Sequence, residues 1–246
     1  MENRMSDVTT RTLKRSTTVV GIAAVAAAFI ALAIDLTYDA SIEPRGYVGS
    51  PEVSDFDVSS GFESVFHGFY NTGNWAGNLF AYPVSATGTP NLAAERWSGG
   101  AAASINAANW DTGRRIVTMS SSGGKVGFRW ANLSATQQAS INSNSGIGAD
   151  VVNYVRGDKS NESAGRFFRP RVSVMGAVIH SRAMFVDHAT APTVYVGAND
   201  GMLHAINEST GAERWAYVPR AAIANVNKLS ANPFAFSYFV DGGLAT

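Results

Sequence analysis

The fold is decided by residues 194–215, which read VYVGANDGMLHAINESTGAERW. The run opens with Val-Tyr-Val at 194–196, and β-branched and aromatic side chains of this kind favour a buried, pleated strand. Asn-Asp-Gly at 199–201 then predicts a tight turn, because glycine tolerates positive φ and Asn or Asp can bond its own backbone. Apolar residues alternate with polar or small ones over 202–206, which predicts the returning strand.

A second turn and a tryptophan complete this stretch. Thr210 and Gly211 turn the chain again, and Trp215 follows at a spacing that would let its indole pack between neighbouring sheets. Short strands with a glycine at each bend and a closing tryptophan are typical of one blade of a β-propeller. The blade-defining residues in this stretch are Gly197, Asn199, Asp200, Gly201, Gly211 and Trp215.

The same pattern occurs earlier in the chain, as an internal repeat. Residues 77–82, GNLFAY, align with 201–206, GMLHAI, and the sequence Ala-Glu-Arg-Trp recurs at 94–97 and 212–215. The loop is longer in the first copy, since Gly77 and Trp97 are 20 positions apart and the later pair only 14. Repeated units predict an array in which no single unit buries its own apolar face. We therefore expect an all-β fold, a partial β-propeller over residues 62–246.

Composition narrows the class of protein. The 246 residues carry 19 basic and 19 acidic side chains, so general electrostatic attraction to nucleic acid is not expected. There are 24 glycines, 13 phenylalanines and no cysteine. Disulfides, zinc–cysteine sites and thiol catalysis are therefore excluded, and the glycine- and aromatic-rich composition fits an exported all-β protein.

The N-terminal region predicts export. Residues 19–34 form an uncharged apolar run after a basic flank. The run is shorter than the roughly 20 residues of a stable membrane span and has the length of a signal-peptide core. Ala31-Leu32-Ala33 offers a small-x-small cleavage pattern, so 1–34 is interpreted as a signal peptide, with a membrane anchor as the alternative. Residues 35–61 lack periodicity and are interpreted as a linker.

The rest of the chain predicts further strands with little helix. Ser134 is expected to cap a short helix over 133–141, because serine accepts hydrogen bonds from the first helical turn. The other expected elements are strands at 114–119, 126–130, 172–186 (broken near Gly176) and 234–240, a turn of helix at 150–154 and weak helix over 219–229.

No residue pattern predicts a catalytic or metal site. The four histidines lie outside any Gly-x-Ser-x-Gly context, and His180 and His204 are interpreted as polar residues on half-buried strands. The loop 142–150 resembles a calcium loop, but asparagines stand where carboxylates are needed, so an ordinary loop is expected. Arg156-Gly157-Asp158 is a tripeptide used in adhesion and is retained as a candidate adhesion site.

These residues resemble the PilY/PilC family of type IV pilus biogenesis proteins, in the first part of that family's C-terminal β-propeller. The resemblance covers roughly residues 65–243 and is most specific over 194–219. The matching segments are 75–79 with Trp97, 115–118, 128–133, 154–158 with Glu162, 169–171, Met175-Gly176, His180-Ser181, 194–205, 210–219 and 238–242, the last including Asp241 and Gly242.

The resemblance implies a non-enzymatic pilus assembly and adhesion factor. It implies minor pilins or a surface ligand as partners, and a location in the periplasm, at the outer membrane or on the pilus. For full-length members of the family, the resemblance implies bound calcium. It places no calcium site in this chain, so no cofactor is expected here. The chain departs from the family pattern at 176–183 and at Phe236-Ser237, and it looks like a truncated family member.

Two other readings stay open. A generic propeller scaffold of the outer-membrane assembly type would carry the same blades. The sequence at 205–215 also nearly matches the tryptophan-docking motif of quinoprotein dehydrogenases. This motif locks propeller blades together, so it indicates the fold and not an enzymatic activity. The cysteine pair typical of those enzymes is impossible in this chain, so an enzyme is not expected.

Overall fold

The computed structural model describes residues 45–47, 52–53, 64–162 and 167–244. The predicted signal or anchor segment, residues 1–34, lies outside these ranges, as does most of the predicted linker. Sheet dominates the described chain and four short helices accompany it, which agrees with the all-β class. In the described ranges, no helix has the length and apolar character needed to cross a bilayer.

The first sheet is built on a long antiparallel hairpin. Strand β3 (Ser64–Asn71) pairs along its length with β4 (Gly77–Pro83). Two short strands, β1 (Arg45–Tyr47) and β2 (Glu52–Val53), pair with opposite ends of β3. Both short strands fall within the range interpreted as a linker, so part of that range is paired with the sheet.

The second sheet has six strands in the order β6-β5-β10-β9-β8-β7. Its strands are β5 (Ile116–Met119), β6 (Lys125–Gly127), β7 (Met184–Val186), β8 (Thr193–Ala198), β9 (Met202–Asn207) and β10 (Glu213–Val218). Strands β7 to β10 form a four-stranded antiparallel meander, and β5 adds to β10 in parallel. Across the described residues the sheets do not close into a barrel or a ring of blades.

The two predicted turns of the meander are confirmed. Gly201 has φ of 90° in the β8–β9 turn, and the backbone N–H of Met202 donates to Asp200 Oδ1 at 3.1 Å. Gly211 has φ of 71° between β9 and β10. Both glycines occupy the left-handed region that side chains with a Cβ avoid, which explains their position at the bends.

Helices cover one side of the second sheet. They are α1 (Gly100–Ala107), α2 (Ala135–Ile141), α3 (Ser145–Arg156) and α4 (Asn227–Ser230), with 3₁₀ turns at Trp130–Asn132 and Ile223–Asn225. The predicted cap of α2 is confirmed, because Ser134 and Gln137 form a reciprocal capping box. The weak helix predicted over 219–229 is also present, as a 3₁₀ turn followed by α4.

Four predicted elements differ from the structure. Residues 234–240 form no strand; their backbone follows an irregular path. Only Met184–Val186 is a strand within 172–186, and the strand expected at 126–130 ends at Gly127. Helix α3 begins at Ser145, well before the predicted turn of helix, because Asn144 accepts hydrogen bonds from the N–H groups of Gly146 and Ile147. Helix α1 was not predicted; its Ala-rich sequence carries no clear apolar period.

Two clusters of buried side chains form the core. One lies between helices α2 to α4 and strands β5 and β10. The other joins β3, β4 and α1 to the same face of the second sheet at β8 and β9. The opposite face of that sheet, here called the outer face, is only half-buried and carries Val117, Tyr195, Leu203, Trp215 and Tyr217.

Candidate functional site

The polar centre of the structure is a buried histidine between two carboxylates. His204, on β9, is fully buried. Its Nε2 lies 3.1 Å from Asp200 Oδ2 in the β8–β9 turn, and its Nδ1 lies 2.8 Å from Glu213 Oε1 at the start of β10. Both ring nitrogens are therefore engaged by carboxylates, and the sequence interpretation of His204 as a half-buried strand residue underestimated its burial.

An arginine completes this network. Arg114 donates to both Glu213 carboxylate oxygens at 2.8 Å, and its Nη1 donates to the carbonyl of Arg156 at 2.7 Å. Asp200 also accepts from the N–H groups of Gly176 and Met202. Two cations face two anions, so the charges compensate within the low-dielectric interior.

The pKa values follow from these contacts. Burial lowers the pKa of His204, but the charges and hydrogen bonds of Asp200 and Glu213 outweigh burial and raise it to about 9. Burial raises the pKa of Glu213, whereas Arg114 and His204 bring it down to about 2. His204 is thus an imidazolium at neutral pH without a free lone pair, and it cannot act as a general base. The network joins the β8–β9 turn, β9 and the start of β10.

The candidate adhesion tripeptide, Arg156-Gly157-Asp158, lies at the C-terminus of α3. Arg156 is buried, and its guanidinium donates to the carbonyls of Phe128, Trp110 and Asp111. Gly157 ends the helix with φ of 121°. Asp158 is half-buried and accepts from the N–H of Ser160. The adhesive role of Arg156-Gly157-Asp158 stays a prediction, and it would require Arg156 to leave these carbonyls.

Four of the blade-defining residues act where backbones approach closely. A Cβ on Gly77 would lie 1.7 Å from the carbonyl oxygen of Gly176, and a Cβ on Gly197 would lie 2.8 Å from that of Val240. The side-chain oxygen of Asn199 accepts a hydrogen bond from the backbone N–H of Phe239 at 2.8 Å. The Asp241 carboxylate accepts hydrogen bonds from the backbone N–H and from the ring of His180. The contacts of Asn199 and Asp241 attach the irregular C-terminal segment to the sheet.

Another contact joins the C-terminal segment to the chain before β7. The N–H of Gly242 donates to Ser181 Oγ at 3.3 Å, and Gly242 has φ of 126°. The C-terminal segment thus lies beside Ser181 and His180. Its aromatic-rich residues 234–240 pair with no strand of the described chain.

The two repeats interlock through Trp97. This indole is buried, and its Nε1 donates to the carbonyl of Glu208 at 2.7 Å in the turn between β9 and β10. A Cβ on Gly211 would lie 2.6 Å from Cγ of the same ring. Arg96 forms an ion pair with the Glu208 carboxylate, whose Oε1 also accepts from Ser64. The first repeat therefore seats its Arg-Trp pair on the glycine turn of the second.

Trp215 occupies the equivalent position in the second repeat and has different surroundings. It is half-buried on the outer face, with its ring centroid 5.8 Å from that of Tyr195. The sequence predicts that Trp215 packs between sheets, whereas the buried tryptophan between the two repeats is Trp97. The repeat alignment could have identified Trp97, because it places both tryptophans in the same Ala-Glu-Arg-Trp sequence.

The loop that resembled a calcium site is mostly helix. Asn144 caps α3 with its side chain, and residues 145–150 belong to that helix. In the described part of the chain, no group of three His, Cys, Asp or Glu residues is placed to hold a metal ion.

Comparison with curated proteins finds relatives that share one name. The chain is 32% identical over 211 residues to "Type IV pilus biogenesis factor PilY1" of Pseudomonas aeruginosa strain UCBPP-PA14, which covers 70% of this chain and 18% of that protein. It is 33% identical over 213 residues to the protein of the same name from strain PAK, covering 71% and 18%. It is also 32% identical over 203 residues to a "Type IV pilus biogenesis factor PilY1 homolog" of Xylella fastidiosa, covering 70% and 15%.

The alignments therefore cover most of this chain but only a small share of each relative. The aligned region spans less than a fifth of the length of each of these three proteins. No protein-family model and no solved structure matches the chain.

Proposed function

Because this chain belongs to the PilY/PilC family of type IV pilus biogenesis proteins, we propose that it serves pilus biogenesis as a non-enzymatic binding scaffold. The observation that carries the proposal is the alignment over 70% of the chain with proteins named as pilus biogenesis factors. The minor pilins, or a ligand at the cell surface, are the proposed partners. The family resemblance derived from the sequence is thereby confirmed.

The interior supports a scaffold. The buried ion network uses all the hydrogen-bonding capacity of the His204 ring, and the repeats are locked by the Trp97 contact. Such a framework holds surface loops in fixed positions, which suits binding by shape complementarity. The β7–β10 meander has the strand number and connectivity of a propeller blade, and it supports the proposal that this chain contributes blades to a larger β-propeller.

The proposed location is the cell envelope, either the periplasm and outer membrane or the pilus-bearing surface. It follows from the role given in the relatives' names and from the apolar segment 19–34. Cell fractionation with an antibody to residues 64–162 tests it: we expect the protein in envelope or surface fractions, and recovery in the cytosol alone would contradict the proposal.

A genetic experiment tests the function. Deleting the gene should remove surface pili, and the wild-type gene supplied in trans should restore them. The variant Trp97→Ala, which opens the contact between repeats, should restore them poorly, whereas a change at the exposed Ser122, Ser122→Ala, should restore them fully. Normal piliation of the deletion strain would contradict a role in biogenesis and would favour a generic envelope scaffold.

A further inference from the structure

A small pocket lies between the C-terminal segment and the loop that follows α3. It has a volume of about 30 Å³ and is partly open to solvent, so it admits a small polar group at the end of a larger ligand. Its lining includes Trp75, Tyr154, Arg169, Ser173, Phe234 and Phe236. Aromatic walls with a few polar groups are typical of a binding pocket.

The guanidinium of Arg169 has hydrogen-bond donors to spare. Its Nη2 donates to the carbonyl of Asn74, and the Phe234 ring covers its face, with Cζ 3.6 Å from the ring centroid. An arginine has five N–H groups, and in the described chain Nε and Nη1 of Arg169 have no acceptor. Ser173 Oγ accepts from Asn106 at 3.3 Å, and its own hydroxyl hydrogen has no acceptor among the described residues. Donors from both residues are therefore available to an anion.

The other charges of the pocket lining are already compensated. Arg171 donates to Glu162 Oε1 through Nε at 2.9 Å and through Nη2 at 2.6 Å. Asp200 faces the His204 imidazolium. Within the described ranges no carboxylate forms an ion pair with Arg169, whose pKa is lowered by burial and further by the charge of Arg171. The pocket thus holds one uncompensated positive charge, which a single negative charge would neutralise.

Trp75 forms an apolar wall of this pocket. It has φ of 59°, in the left-handed region that bulky side chains rarely adopt, and its N–H donates to the carbonyl of Asn71 at 2.7 Å. Its ring stacks on Phe236, with 3.9 Å between the centroids and 19° between the planes. Backbone strain of this kind clusters at binding sites, and the stacked rings offer a fixed surface to the methylene groups of a ligand.

We propose that this pocket binds the carboxylate of a glutamate side chain presented by another polypeptide. The carboxylate would accept from Arg169 and from the Ser173 hydroxyl, and the methylenes of the glutamate would lie against the Trp75 ring. A carboxylate suits a guanidinium, because its two oxygens can accept from neighbouring N–H groups in one plane. A doubly charged phosphate would leave one negative charge uncompensated near Asp200. Such a site would operate whether or not the chain serves pilus biogenesis.

Fluorine NMR of the full chain labelled with 5-fluorotryptophan tests the proposal. The chain has five tryptophans, and the Trp75 resonance is assigned with the Trp75→Phe variant. The probe is the tripeptide acetyl-Ala-Glu-Ala-amide, whose blocked ends leave glutamate as the only carboxylate. We expect it to shift the Trp75 resonance saturably, with a Kd in the millimolar range, and to leave the Trp97 resonance unchanged. The matched glutamine tripeptide should bind at least about tenfold more weakly, because a charged hydrogen bond is lost.

Matched variants locate the binding in this pocket. Arg169→Gln should abolish the shift, and Ser173→Ala, a smaller change, should weaken binding severalfold. Arg115→Gln changes an arginine with an exposed side chain and should bind the tripeptide as the wild type does. A wild-type Trp97 resonance shows that each variant is folded. Full binding by folded Arg169→Gln, or by Ser173→Ala should Arg169→Gln not fold, would overturn the proposal.

The probes also separate a carboxylate site from other kinds of binding. Equal shifts with the glutamate and glutamine tripeptides would show adhesion to the aromatic rings and would refute the proposal. Tighter binding of inorganic phosphate than of the glutamate tripeptide would show a site for free anions and would refute it as well. No shift of the Trp75 resonance at tens of millimolar glutamate tripeptide would exclude the site.

Discussion

Trp97 of the first repeat lies across Gly211 of the second, so closely that a Cβ on that glycine would sit 2.6 Å from the indole Cγ. The two residues are far apart in sequence: Trp97 ends the first repeat, and Gly211 lies in the glycine turn of the second. Their contact, with the hydrogen bond from Trp97 Nε1 to the carbonyl of Glu208, joins the two sheets into one framework.

Replacing Gly211 should destabilise the protein. Gly211→Ala places a methyl group against the Trp97 ring and a Cβ at φ of 71°. Overpacking costs about 1–3 kcal/mol and the left-handed backbone about 1–2 kcal/mol, so we expect a loss of about 2–5 kcal/mol in the free energy of unfolding, measured with urea. Gly123→Ala is the matched control, because Gly123 also has positive φ but no atom within 4 Å of its Cβ position. Equal losses in the two variants would show that contact with Trp97 is unimportant.

The two equivalent tryptophans should differ in their contribution to stability. Trp97→Ala empties a buried site and should cost about 3–5 kcal/mol. Trp215→Ala, on the half-buried outer face, should cost clearly less, because less apolar area returns to water. Urea unfolding of both variants gives the comparison. A larger loss at Trp215 than at Trp97 would contradict the assignment of Trp97 as the residue between the repeats.

The buried ion network predicts how stability depends on pH. The pKa of His204 is raised from 6.5 to about 9, so its contribution is complete below pH 6.5 and is lost as the pH rises through about 9. The pKa of Glu213 is lowered from 4.5 to about 2, so its contribution is present above pH 4.5 and is lost as the pH falls through about 2. Stability from these groups is therefore greatest between pH 4.5 and 6.5.

Urea unfolding at a series of pH values measures this profile. Between pH 6.5 and about 9 the free energy of unfolding should fall by on the order of 3 kcal/mol on account of His204. His204→Gln should be less stable and should lack this slope. The control His188→Gln changes an exposed histidine and should keep it. A flat profile in the wild type over this range would mean that His204 is not held as the imidazolium.

Arg156 should behave as a structural residue. Arg156→Ala removes the arginine donor to the carbonyls of Phe128, Trp110 and Asp111, of which the last still accepts from Arg129. We expect a loss of about 3 kcal/mol in the free energy of unfolding. Arg115→Ala, at an exposed side chain, should change stability by less than about 0.5 kcal/mol. Wild-type stability of Arg156→Ala would show that the side chain is free to serve adhesion.

Local sequence patterns predicted the meander well. Strands β8 and β9, the turns at Gly201 and Gly211 and the cap at Ser134 each follow from residues within one short segment. The internal repeat also aligned Gly77 with Gly201 and Trp97 with Trp215 as equivalent positions. These features depend on backbone preferences that neighbouring residues determine.

Features that depend on distant contacts were not predicted. Residues 234–240 have the composition of a strand, but Asn199 and His180 hold this segment in an irregular path. Burial of Arg156 and His204 requires carbonyls and carboxylates that lie far away in the sequence or on neighbouring strands. The burial of Trp97 between the repeats, in place of Trp215, likewise depends on which tryptophan has a glycine turn packed against it.

The central claim, that this chain is a binding scaffold of type IV pilus biogenesis, is tested most directly by its affinity for minor pilins. The full chain, immobilised and confirmed as folded by the cooperativity of its urea unfolding, is titrated with the purified soluble domains of the minor pilins from its own organism. We predict saturable binding to at least one of them, with a Kd in the micromolar range or below, which corresponds to about −8 kcal/mol or better. Folded protein that binds none of the minor pilins at concentrations well above that range would contradict the account.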